Sequence, residues 1–166
     1  MRWFLKSYCL PCKVGVYMKK VHSNTIHSSI RKLLSYATSE EVIELEYQNY
    51  MQSINLNLYV LESDGESIGC IGFEFISSNH CKIKHIAVSP AERGKGLGRK
   101  MITFICDKYL INLISAETDI DAVNFYRKCG FKIINLGEKY PGVDWFLCEL
   151  RRTSLALKVL DQEADI

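Results

Sequence analysis

Strand-like apolar runs, broken by clusters of turn-forming residues, fill the middle of the chain. Leu56 to Glu62 and Ser67 to Ile76 flank Ser63-Asp64-Gly65-Glu66, and an Asp-Gly pair between two such runs predicts a hairpin. Ser77-Ser78-Asn79-His80 closes the next turn. A third run from Cys81 to Val88 completes an antiparallel meander, which Pro90 ends by removing a ladder donor. The period then changes: Ile102, Ile105, Cys106, Tyr109, Leu110 and Leu113 recur at helical spacing after a glycine-rich turn. Leu113 to Glu117 reads as a further strand. Thr118 and Asp121 have capping-box spacing before a short helix, Ala122 to Cys129, with Gly130 as its left-handed end. Phe131 to Leu136 and Asp144 to Leu150, around Tyr140-Pro141-Gly142, form a closing hairpin. Upstream, Thr38 and Glu41 again suggest a capping box, and Val42, Ile43, Leu45, Tyr47, Tyr50 and Met51 an amphipathic helix. The sum is a mixed, mostly antiparallel sheet with helices on both faces, a three-layer α/β/α fold. Residues 152–166 are too weakly patterned to assign.

Length and composition fit one soluble domain: 166 residues, 48% apolar and 24% charged. The net charge of +2 hides an asymmetry, since Met1 to Ser39 carries seven Lys/Arg and no acidic residue. A solvated terminal segment explains this more simply than a nucleic-acid surface, which would also need aromatic interleaving beyond Trp3 and Phe4. No run approaches the roughly 20 apolar residues of a membrane span, and no signal-peptide pattern opens the chain, so a cytoplasmic location is expected. Seven scattered cysteines then read as reduced thiols. Cys9 and Cys12, followed by His22 and His27, superficially resemble a zinc set, but the spacing between the pairs is too short for a finger, and no metal is expected.

The chemistry concentrates between Ile83 and Met101, read as strand, glycine turn and helix. Gly94, Gly96 and Gly98 lack Cβ, so the backbone can approach a ligand and turn its N–H groups toward one point at a helix N-terminus. Arg93, Lys95, Arg99 and Lys100 add positive charge, and the expected ligand is a pyrophosphate. The pattern fits neither a Walker A loop nor a Rossmann turn, whose third glycine falls one residue later.

The string Val88-Ser89-Pro90-Ala91-Glu92-Arg93-Gly94-Lys95-Gly96-Leu97-Gly98 resembles the acyl-CoA-binding motif of the GNAT superfamily of N-acetyltransferases. Ala122-Val123-Asn124-Phe125-Tyr126-Arg127-Lys128-Cys129-Gly130-Phe131 resembles that family's second hallmark. The resemblance implies a GNAT-like domain at 30–151, opening with a strand at Ile30–Leu34, between a basic extension at 1–29 and a tail at 152–166. Met18 is a candidate alternative start.

It further implies acetyl-CoA as co-substrate, with diphosphate on Arg93 to Arg99, including Leu97, and pantetheine against Ile86, Ala87 and Val88. Lys128 would reach the nucleotide. The strand carrying Ser115 to Glu117 would splay away to admit the arm, and Tyr126 would act as general acid on the thiolate. The first helix, with Tyr47 and Tyr50, would wall the acceptor pocket, although aromatic residues at this spacing also suit a core. Two departures stand out. Asp119 occupies the place of an asparagine that usually bonds pantetheine, and Lys82 stands where histone-modifying relatives have a glutamate base. Glu74 and Glu117, acting through water, and His85 as a third, are the remaining candidates for the base, and an amine that loses its proton to solvent would need none. The resulting reading is an N-acetyltransferase in which a primary amine, on a small molecule or peptide, attacks acetyl-CoA directly in a ternary complex. The rival is a non-catalytic CoA- or acyl-CoA-binding module. The acceptor and the oligomeric state are left open by the sequence.

Overall fold

The computed structural model describes residues 15–152. Seven strands, β1 (Tyr17–Lys20), β2 (Leu56–Ser63), β3 (Glu66–Ser77), β4 (His80–Val88), β5 (Leu113–Thr118), β6 (Lys132–Tyr140) and β7 (Val143–Arg151), form one sheet in the order β1-β2-β3-β4-β5-β7-β6. Every neighbouring pair is antiparallel except β4 and β5. The helices are α1 (Ser28–Leu34), α2 (Ile43–Gln52), α3 (Leu97–Tyr109) and α4 (Ile120–Lys128).

The sheet separates two apolar cores. Phe73, Ile83 and Ile114 pack with Met101 and Ile105 of α3 and Val123 of α4 on one face. Leu58, Val60 and Cys70 pack with Leu34 of α1 and Ile43 and Tyr47 of α2 on the other. This is the expected three-layer arrangement, and the hairpin at Asp64-Gly65 has the two positive φ angles, 54° and 81°, of the turn that Asp-Gly favours. Among the described residues no helix is long and apolar enough to cross a membrane.

Four local expectations are corrected. Ile30–Leu34 is not a strand but most of α1: Ile30, Leu33 and Leu34 are buried at i, i+3 and i+4, a helical stripe, and His27 caps the helix by accepting from the Ser29 N–H. The first strand is instead β1, inside the stretch read as an extension, where Tyr17–Lys20 pair with Tyr59–Glu62. Neither capping box forms as spaced. The chain enters α2 one residue later, from Ser39 through a 3-10 turn over Glu40–Val42, and α4 is capped by Asp119. Leu110 and Leu113 are not on α3, because Leu110 takes φ 53° as its left-handed cap and is exposed, while Leu113 opens β5. Cys9, Cys12 and the tail beyond 152 lie outside the described residues.

Candidate active site

The parallel pair supplies the opening. Pairing of β4 with β5 runs from His80 and Leu113 only to Ile83 and Ala116. Beyond that point β4 stays with β3, whereas Glu117 and Thr118 of β5 follow β7. Lys84 has no partner on β3, a bulge that bends β4 where the two strands part. The splay therefore leaves the edge of Lys84–Val88 without a strand beside it. A cleft of about 1190 Å³ occupies the gap, at the carboxyl ends of both parallel strands, where the N-termini of α3 and α4 converge.

The two helix ends are chemically different. Gly96, φ 74°, caps α3 without a side chain, the first turn holds no acidic residue, and the first helical bond is Lys100 N–H to the Gly96 carbonyl at 3.0 Å. The N–H groups of Leu97, Gly98 and Arg99 thus lack helical acceptors and stand at the positive end of the dipole. At α4, Asp119 already accepts from the Asp121 and Ala122 N–H groups at 3.1 and 3.4 Å. An anion entering the cleft finds its open N-terminus at α3.

The three glycines of the loop divide by role. Gly94 and Gly96 have φ of 80° and 74° with empty space where a Cβ would stand, so backbone conformation selects glycine there. Gly98 is buried inside α3, and its Cβ would meet the Phe125 ring at 2.6 Å. Its missing side chain serves helix packing, while its N–H belongs to the open first turn of α3.

Of the expected binding residues, Ile86, Ala87, Val88, Arg93, Gly94, Gly96, Leu97, Gly98, Arg99, Asp119 and Lys128 all line this cleft. Lys95 does not; it pairs with Glu92 at 2.8 Å. Arg93 is held by its Nε–H bond to the Val88 carbonyl, 3.1 Å, and by stacking over Tyr36, 5.5 Å from the ring centroid. Arg99 donates to the Lys128 carbonyl and ties α3 to the end of α4.

Tyr126 lies on the cleft floor, wedged edge-on between Phe125 and Phe131. Among the described residues its hydroxyl has no partner, although the residue is only 5% exposed. Burial pushes its phenol pKa up, which keeps the hydroxyl protonated at neutral pH. Glu117 also lines the cleft, but it is engaged with Lys82 at 2.6 Å and with the Trp145 indole N–H at 3.3 Å. The hydrogen bond from Lys82 holds its carboxyl below the usual range, the opposite of what a base needs. Glu74 is not in the cleft; it sits on β3 opposite Leu56 and Lys82. His85, the weakest candidate from sequence, is in it. Tyr47 and Tyr50 are both buried beneath α2 rather than lining the opening.

Residues 55–133 match the family model described as an acetyltransferase (GNAT) domain. No curated protein matches the sequence. Among solved structures, a GNAT family acetyltransferase from Elizabethkingia anophelis with acetyl-CoA bound is 20% identical, with TM-score 0.63 over 82% of this chain and 98% of its own. An acetyltransferase from Bacillus subtilis in complex with CoA is 18% identical, with TM-score 0.63 over 84% and 100%. The ribosomal-protein-S18-alanine N-acetyltransferase from Escherichia coli is 15% identical, with TM-score 0.64 over 84% and 96%. The chain therefore carries an acetyltransferase (GNAT) domain, recognised over residues 55–133 and folded as those proteins are.

Proposed function

We propose that the protein is an N-acetyltransferase that moves an acetyl group from acetyl-CoA to a primary amine by direct attack. The observation that carries this reading is the unsatisfied N-terminus of α3 facing the gap between β4 and β5. The N–H groups of Leu97, Gly98 and Arg99 suit a diphosphate, with Arg93, Arg99 and Lys128 contributing charge, and the helix dipole adds roughly 0.3–1 kcal/mol per anion held. The free edge at Ile86–Val88 offers backbone groups to an amide-bearing arm such as pantetheine. Relatives of this fold crystallised with CoA and acetyl-CoA support that assignment.

In this reading the protonated hydroxyl of Tyr126, on the cleft lining, donates to sulfur as the thioester breaks, a contribution of about 10² to 10⁴ in rate. The burial that raises its pKa means the proton moves only as negative charge builds on sulfur. A covalent route through a thiolate is disfavoured, because Cys129, which lines the cleft, has its thiol pushed up by burial. Asp119 keeps α4 in place, and its carboxylate can only accept, so it replaces an asparagine contact to pantetheine in part at most. The body at 30–151 with β1 added is the catalytic unit in this reading, and the five free thiols among the described residues suit a reducing, cytoplasmic setting.

The acceptor is an amine on a small molecule or a peptide; the similarity to a ribosomal-protein-alanine N-acetyltransferase keeps peptide termini within that set. The test is consumption of acetyl-CoA thioester across a panel of polyamines, amino sugars, peptide termini and lysine peptides. Amine-dependent thiol release is expected. Binding of acetyl-CoA without release for any amine would instead favour a non-catalytic acyl-CoA-binding module.

A further inference from the structure

On the sheet face away from α3 and α4, one buried polar cluster borders the same cleft. His85 is 8% exposed and follows the bulge at Lys84, which turns it toward α2. Its Nδ1 lies 2.7 Å from the Tyr50 hydroxyl, with the two rings edge to face at 71°. Gly72, paired with His85 across the ladder, leaves the space for that phenol: a Cβ there would sit 2.0 Å from the Tyr50 Oη. Strand, helix and glycine together fix the imidazole in one orientation.

Among the described residues nothing bonds the other ring nitrogen, Nε2, and His85 lines the cleft. The competing carboxylates do not serve: Glu117 is paired with Lys82, and Glu74 lies outside the cleft. Building on the N-acetyltransferase reading above, we propose that His85 is the group that takes the proton from the acceptor ammonium, with Tyr50 accepting from Nδ1–H so that the Nε2 lone pair faces substrate.

The step balances without a co-reactant. Nε2 takes one N–H proton of the ammonium and passes it to solvent, and the freed nitrogen lone pair forms the C–N bond to the acetyl carbon. The C–S bond breaks with its electron pair on sulfur, which Tyr126 protonates. The second N–H proton, lost as the amide forms, restores Tyr126 through water.

The electrostatic setting agrees with this role. Desolvation lowers the imidazole pKa, Glu46 of α2 opposes that shift and Lys84 adds to it. Glu74 and Cys70 of β3 flank the Tyr50 phenol, whose pKa burial raises, so it keeps its proton. His85 is thereby neutral at pH 7 and charges only under acid conditions.

Three experiments test the assignment. Long-range nitrogen–proton NMR of the full chain, with His85→Asn for assignment, is expected to find the Nδ1–H tautomer; an Nε2–H tautomer would overturn the proposal whatever the enzyme's activity. His85→Asn retains an amide N–H for Tyr50, and should lower turnover about 10²-fold while leaving acetyl-CoA affinity unchanged. Tyr50→Phe should move the acid limb of the kcat profile to lower pH, because the imidazolium loses an acceptor. Undiminished turnover in His85→Asn, or an upward shift in Tyr50→Phe, would overturn the proposal. Failure of the underlying reading has a separate signature, the absence of acetyl-CoA binding by the unsubstituted protein.

Discussion

The Phe125 ring of α4 occupies the space that a side chain on Gly98 of α3 would need, 2.6 Å from the ideal Cβ position. This contact sets how closely the first turn of α3 approaches α4, and therefore the width of the cleft between them. Gly98→Ala should be destabilising. Displacing a packed ring costs about 1–3 kcal/mol, which outweighs the roughly 1 kcal/mol that alanine gains in helix propensity. Urea unfolding is expected to register a net loss of about 1 kcal/mol, restored by adding Phe125→Leu. An unchanged midpoint in Gly98→Ala would mean that the ring gives way freely.

Asp119 is predicted to act as a helix cap before anything else. Asp119→Ala should cost about 1 kcal/mol in urea unfolding, while Asp119→Asn, which still accepts the two N–H bonds, should be nearly neutral. Equal loss in both variants would point to the charge rather than the cap.

The sequence disclosed the site more completely than the chain's beginning. Asp64-Gly65, Pro90 and the glycine run are local signals whose physics does not depend on the rest of the fold, and each stands where it was expected. Ile30–Leu34 was misread because five apolar and basic residues suit either period, and the decisive fact, that Ile30, Leu33 and Leu34 share one buried face under β3 and β4, is tertiary. The splay of β5 from β4 and the role of Gly98 are equally invisible in sequence, since both depend on which strand or ring lies opposite. His85 carried only one hint, its place on the strand that runs into the glycine loop. Its worth comes from Tyr50, 35 residues away, and from the bulge at Lys84.

The Lys82–Glu117 pair should make itself felt in acid. The folded pKa of Glu117 is depressed, so its contribution to stability is present above the unfolded value of about 4.3 and is lost as pH falls through the lower folded value. Both side chains are partly exposed, 29% and 36%, so solvent screening limits the effect. It should be at most about 1 kcal/mol. Comparing unfolding of the parent and Lys82→Met between about pH 5 and pH 3, the parent should lose more stability. Parallel curves would mean that the pair is neutral.

Tyr126→Phe removes the hydroxyl and keeps the edge-on packing with Phe125 and Phe131. Turnover should fall by about 10² while acetyl-CoA affinity holds. Turnover equal to the parent's across the pH range would remove Tyr126 from the chemistry.

Titration calorimetry of acetyl-CoA against the parent and Gly96→Glu bears most directly on the open amide groups at the head of α3. The parent should bind, and the substituted chain, with a carboxylate forced into the anion site, should bind at least about tenfold more weakly, consistent with the dipole and charge terms at a helix N-terminus. Equal heats from the two proteins, or none from the parent, would contradict the account.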